Sequence, residues 1–141
     1  MITDAFLLFD DNHLILDTGA STSHVDTLAA GNALTPGARA VAKISTAYVD
    51  AGGGTIITTL QTCAEDTFAA PTTLLTGPTI TIAAGAATAA GAVGVTLLDA
   101  VIPAGVLRYV RFYHTFSAAM DSGGIDSRIV LDSDHPLDKG L

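Results

Sequence analysis

The residues best suited to chemistry lie in the run Leu14-Ile15-Leu16-Asp17-Thr18-Gly19-Ala20-Ser21. Apolar residues followed by Asp-Thr-Gly hold a carboxylate at the end of a strand. In two copies related by a twofold, a pair of such aspartates would share one proton and activate a water, because like charges that close do not both ionise. The same letters also have a plainer reading. Asp and Gly favour turns on their own account, so the run also describes a strand that ends in a structural turn.

Acid and histidine neighbours raise a second chemistry, metal binding. The pairs are Asp11 with His13, His24 with Asp26, and Asp132 and Asp134 with His135. Zinc needs three or four converging ligands, and none of these pairs has a clear second set. Calcium at Asp132 and Asp134 would suit a loop, but solvated turn residues are the simpler reading, and no metal is expected. No Ser-His-Asp or Cys-His arrangement follows from spacing, and the glycine runs precede strands rather than helices, so they are not phosphate cradles. No catalytic residue and no cofactor is therefore assigned.

The elements that must position these groups are strands. Ile102–Phe116 reads I-P-A-G-V-L-R-Y-V-R-F-Y-H-T-F. After its Pro-Ala-Gly turn, Val106, Val110, Phe112 and Phe116 share one parity, and Leu107, Tyr109, Arg111 and Tyr113 share the other. Strand side chains alternate between faces, so the first set suits a core and the second a wetter surface. Arg108 falls on the apolar parity and must reach an edge, a partner or an acid. Ala40–Val49 and Thr55–Cys63 read as strands joined in a hairpin through the flexible Asp50–Gly54. Met1–Phe9 reads as a first strand or docking arm ended by Asp10-Asp11-Asn12, and His13–Leu16 as a second short apolar run. Ser21–Asp26 reads as loop, and Thr27–Leu34 as a single helical turn at most. Ala64–Pro71 reads as a loop anchored by Phe68. Thr79–Ala83, Val93–Val101 and Ile125–Leu131 complete the strands, with Ala84–Gly91 a loop or slender edge and Asp121–Gly124 a turn. The 141 residues thus form one all-β domain, an antiparallel β-sandwich or jelly roll of roughly seven to eight strands with little or no helix, closed by a polar tail at Asp132–Leu141.

Composition narrows the function classes. Thirteen aspartates stand against the single Glu65, which suits strands and turns. A net charge of −8 with six scattered basic residues argues against a nucleic-acid partner, since phosphate binding needs a basic face. No stretch reads as a signal peptide or a membrane span, because the apolar segment Ile80–Val101 is broken by Gly85, Gly91, Gly94 and Asp99. The lone Cys63 forbids an internal disulfide and reads as a small core residue. Only 14% of residues are charged while 49% are hydrophobic, which suggests that other chains cover part of the surface. Tyr and Arg are enriched at protein interfaces, so Tyr109, Arg111 and Tyr113 are expected to make contacts between subunits, together with Phe6, Leu7 and Phe9 of the N-terminal arm. The Tyr-Arg-Tyr face also suits a carbohydrate-binding β-sandwich module.

Two resemblances follow from these residues. The Asp17–Ser21 run resembles the aspartic proteases, and the chain length suits their retroviral-type dimers. Beyond it the pattern diverges: Gly52–Gly54 lies far downstream for a flap, and a strand rather than a helix follows Val93-Gly94. The second resemblance runs end to end. The blocks M-I-T-D-A-F-L-L-F-D, T-L-Q-T-C-A-E-D-T-F-A-A-P-T-T-L-L, I-P-A-G-V-L-R-Y-V-R-F and G-I-D-S-R-I-V-L-D-S-D span residues 1–10, 59–75, 102–112 and 124–134. In that order they resemble the capsid cement, or decoration, proteins of tailed phages typified by that of a Bordetella podophage. The resemblance implies a jelly-roll protein on the outside of an icosahedral capsid, clamping neighbouring major capsid subunits. It implies no catalysis and no cofactor, and assembly in the virion after synthesis in the bacterial host cytoplasm. Partners would be the major capsid protein and the chain itself, as a homodimer in preference to a trimer.

Overall fold

Alternation of apolar and polar residues builds strands of two kinds in this chain, and the computed structural model sorts them into two sheets. It describes residues 8–26, 38–85 and 89–130. The strands are β1 (Leu8–His13), β2 (Gly19–Ala20), β3 (Val25–Asp26), β4 (Arg39–Val49), β5 (Gly54–Cys63), β6 (Thr72–Thr76), β7 (Ile80–Ile82), β8 (Thr96–Val101), β9 (Tyr109–Phe116) and β10 (Ser122–Val130). Seven of the ten have five or more residues, and no α-helix occurs among the described residues. One antiparallel sheet has the order β1-β10-β4-β8. The other has the order β2-β9-β5-β6, with β3 added to β9 and β7 to β5. Most connections cross from one sheet to the other. The fold is an all-β sandwich.

The core lies between the sheets and draws on both. β4 turns Ala40, Ala42, Ile44 and Tyr48 inward, β5 turns Ile56 and Leu60 inward, and β9 turns Val110, Phe112 and Phe116 inward. Phe9 packs edge-to-face on Phe112 with ring centroids 5.1 Å apart. Burying a side chain of this size contributes about 1.5–3 kcal/mol, so the double row of inward residues is the main stabilising feature.

Several expectations change here. β4 and β5 are not a hairpin. β4 pairs with β10 and β8, whereas β5 pairs with β9, β6 and β7, so the two face each other across the core. Asp50–Gly53 makes the crossover: the Asp50 carboxylate accepts from the Gly52 amide at 2.9 Å, and Gly53 takes φ +72. A Cβ on Gly53 would meet the Ile82 carbonyl oxygen at 2.7 Å, so glycine is required at this crossing.

Asp10-Asp11-Asn12 does not end the first strand but lies within β1. Two register shifts against β10 and a positive φ at Asn12 let Asp10 turn inward. The expected second run keeps only His13 in a strand; Leu14 is exposed and Ile15 buried. Val25–Asp26 forms a short strand within the expected loop, and Thr72–Thr76 is an edge strand to which no expectation was attached. The presumed turn Asp121–Gly124 instead opens β10 at Ser122. There the Tyr48 ring lies so close over Gly123, at φ +149, that a Cβ would overlap it. The strands expected at Val93 and Val106 start later, at Thr96 and Tyr109. The helical turn at Thr27–Leu34 and the polar tail lie outside the described residues.

Candidate interaction surface

β9 divides its side chains as its alternation requires. Val110, Phe112, His114 and Phe116 are buried, while Tyr109, Arg111 and Tyr113 are half-buried on the outer face of the six-stranded sheet. Register with β5 sets Arg111 opposite Gln61 and Tyr113 opposite Thr59. Arg111 Nε donates to Gln61 Oε1 at 2.9 Å. Its guanidinium carbon lies 4.3 Å from the Phe68 ring centroid and 5.1 Å from that of Tyr113. Both are within the distance at which a cation is attracted to a ring face. Burial pulls the Arg111 pKa below its ordinary value, against the pull of neighbouring Tyr113 and Cys63.

Phe68 is held in place at a cost. It is one of two non-glycine residues with positive φ among the described residues, at φ +50, yet its ring is buried and its amide donates to the Glu65 carbonyl at 3.2 Å. A bulky residue there is strained by about 1–3 kcal/mol, and such strain persists only where surrounding contacts impose it. His24 packs against both Phe68 and Tyr109, each at 5.8 Å. Arg108 meets the requirement set by its parity: Nε and Nη2 bond the two Asp26 carboxylate oxygens at 2.8 and 2.9 Å, and its guanidinium lies 5.1 Å over the Tyr109 ring. The bond to Asp26 raises the Arg108 pKa.

The remaining site residues lie elsewhere. Phe9 is only 1% exposed, so its ring serves the core rather than a docking arm. Phe6 and Leu7 lie outside the described residues. Asp17 is exposed, and its carboxylate accepts from the next amide, Thr18, at 2.7 Å. Thr18 Oγ1 in turn exchanges bonds with the backbone of Phe116, tying the turn to the end of β9. Of the acid–histidine pairs, His13 bonds Asp10 rather than joining Asp11, and Asp26 is engaged by Arg108. Asp132, Asp134 and His135 lie outside the described residues. Among the described residues no group of three His, Cys, Asp or Glu could hold a metal ion. Cys63 is buried, with Sγ 3.7 Å from the Ala70 carbonyl oxygen.

The most elaborate polar arrangement is one that sequence reasoning missed. Asp10, 1% exposed, crosses the interior from β1. Oδ1 accepts from the Thr22 amide at 2.9 Å, Thr22 Oγ1 at 3.3 Å and His13 Nδ1 at 2.9 Å. Oδ2 accepts from His114 Nε2 at 3.0 Å and from Ser127 Oγ. His114 Nδ1 then takes the Thr58 hydroxyl at 3.0 Å. Burial alone would push the Asp10 carboxyl up, but the bonds from His114, Ser127 and Thr22 outweigh it and hold the group well below the usual carboxylate range. Thr58, His114 and Asp10 have the composition of a nucleophile–base–acid triad, yet Thr58 and His114 are fully buried between the sheets. The set is a fastening between sheets. Its signal in the sequence was His114, which shares parity with the apolar Val110, Phe112 and Phe116.

No family model matches this chain, and no curated protein matches it.

Proposed function

We propose that this protein is a structural virion component, a cement protein that binds the outer surface of an icosahedral phage capsid and clamps neighbouring major capsid subunits. The observation that carries the reading is the pre-set Tyr109–Arg111–Tyr113 row, braced by Gln61 and Phe68 on the outer face of the sandwich. The end-to-end resemblance to phage cement proteins and the sparse surface charge support it. A rigid sandwich presenting an aromatic and arginine face suits contact between proteins, where those residue types concentrate binding energy. A standard interface buries about 1,600 Å² in total, and repetition over a lattice lets each contact be modest. The reading involves no catalysis and no cofactor.

A sugar platform fits the same face less well, because Arg108 lies over the Tyr109 ring and Arg111 over the Tyr113 ring, occupying faces that a sugar would need. The test is shell binding by the full chain carrying both Tyr109→Ser and Tyr113→Ser. Co-sedimentation with undecorated shells is expected to fall, and sedimentation velocity of the free protein to shift toward monomer. Unchanged occupancy together with unchanged sedimentation would sink the reading.

A further inference from the structure

We propose that Arg111 is a receptor for a single carboxylate, an Asp or Glu side chain of the capsid subunit on which the protein sits; the choice of partner rests on the function proposed above. Three observations converge. The guanidinium is held between the Phe68 and Tyr113 rings, and its Nε is committed to Gln61, which fixes its plane. Its two terminal nitrogens have no acid among the described residues, as is also true of Arg128, whereas Arg39 and Arg108 are matched by Asp99 and Asp26; what sets Arg111 apart is the pair of rings against its guanidinium. The chain keeps Phe68 in a strained backbone conformation beneath it.

A half-buried cation that gives up hydration without an acid to compensate is costly. The cost is recovered when a carboxylate arrives, because the planar fork of an arginine matches a carboxylate with two parallel bonds. Holding the fork beforehand removes the ordering entropy that binding would otherwise cost. The charge balance selects the ligand. A chain of net charge −8 repels a polyanion, and a nucleic acid needs several cations along a face. One acid on an otherwise apolar protein surface meets one cation flanked by aromatic rings.

The test uses the full chain and its Arg111→Lys and Arg111→Gln variants, checked for unchanged thermal unfolding, in co-sedimentation with undecorated shells. Lysine keeps the charge but loses the fork, so both variants are expected to weaken binding about tenfold or more. Gln61→Ala, which frees the guanidinium without removing it, is expected to weaken binding less. Arg111→Lys within twofold of wild type would overturn the proposal while leaving the cement function standing. If wild type itself binds no shells, that function falls, and a second measurement on the wild-type protein decides the carboxylate. It is an NMR titration of the Arg111 Nε–Hε signal with an acetylated peptide amide containing one glutamate. A saturable shift that vanishes with a glutamine peptide upholds the receptor. No shift, or a stronger response to inorganic phosphate, overturns it.

Discussion

Asp10 is where a single residue most affects this molecule. Its buried carboxylate accepts five bonds, from His13, Thr22 (amide and hydroxyl), His114 and Ser127. Those bonds hold its folded pKa below the ordinary 3.8. A carboxylate whose pKa is lower folded than unfolded contributes stability that is present above the unfolded value and lost as pH falls below it. Thermal unfolding followed by circular dichroism should therefore give a midpoint that declines as pH drops below about 4, with Asp10→Asn flattening that decline. Asp10→Asn leaves too few acceptors for the donors around it and should cost about 3 kcal/mol at neutral pH, read by urea unfolding. An Asp10→Asn protein as stable as wild type would show that the network contributes nothing net.

Among the elements, β10 depends on one close approach. The Tyr48 ring covers Gly123 while the Tyr48 hydroxyl donates to the Ile15 carbonyl at 2.8 Å, so the ring is pinned at both ends. Gly123→Ala would force a methyl into the ring at a backbone angle that alanine resists. Its expected cost is about 3 kcal/mol or more in urea unfolding, with hydrogen exchange rising first at the β10–β4 pairing. The loop between β5 and β6 makes a contrasting case. Phe68→Gly removes a buried ring from beneath Arg111 but relieves the strained φ, which offsets much of the lost burial, so global stability should fall by about 2 kcal/mol while shell binding falls by more. Equal losses of stability and binding would mean that the ring serves the core alone.

For the whole molecule, the consequence of the proposed role is association. An acidic sandwich with few surface charges and one braced aromatic face should pair through that face when no shell is present and give the face up to the capsid subunit on binding; sedimentation equilibrium of the free protein is expected to give a dimer that Tyr109→Ser with Tyr113→Ser dissociates. Shell binding should weaken as salt rises from 50 to 500 mM, by about tenfold, because one charge pair is screened while the apolar contact is not. A salt-independent affinity would argue that Arg111 meets no charge.

Period-two alternation is a local property, so the all-β class, the inward and outward faces of β9 and the need of Arg108 for an edge, a partner or an acid were legible in the residues themselves, as was the Phe68 anchor; that the partner is Asp26 was not. Pairing is not local. Whether Ala40–Val49 lies beside Thr55–Cys63 or across from it depends on which partners complete each sheet, and the glycine-rich link permits either. Asp10 looked like a strand terminator because its two Oδ2 donors, His114 and Ser127, lie 104 and 117 residues away. Only the closed sandwich brings them within bonding distance and makes a buried charge tolerable. The pairing of β9 with β5 places Gln61, and the loop residue Phe68, beside Arg111, turning one basic letter on a wet strand face into a fixed fork.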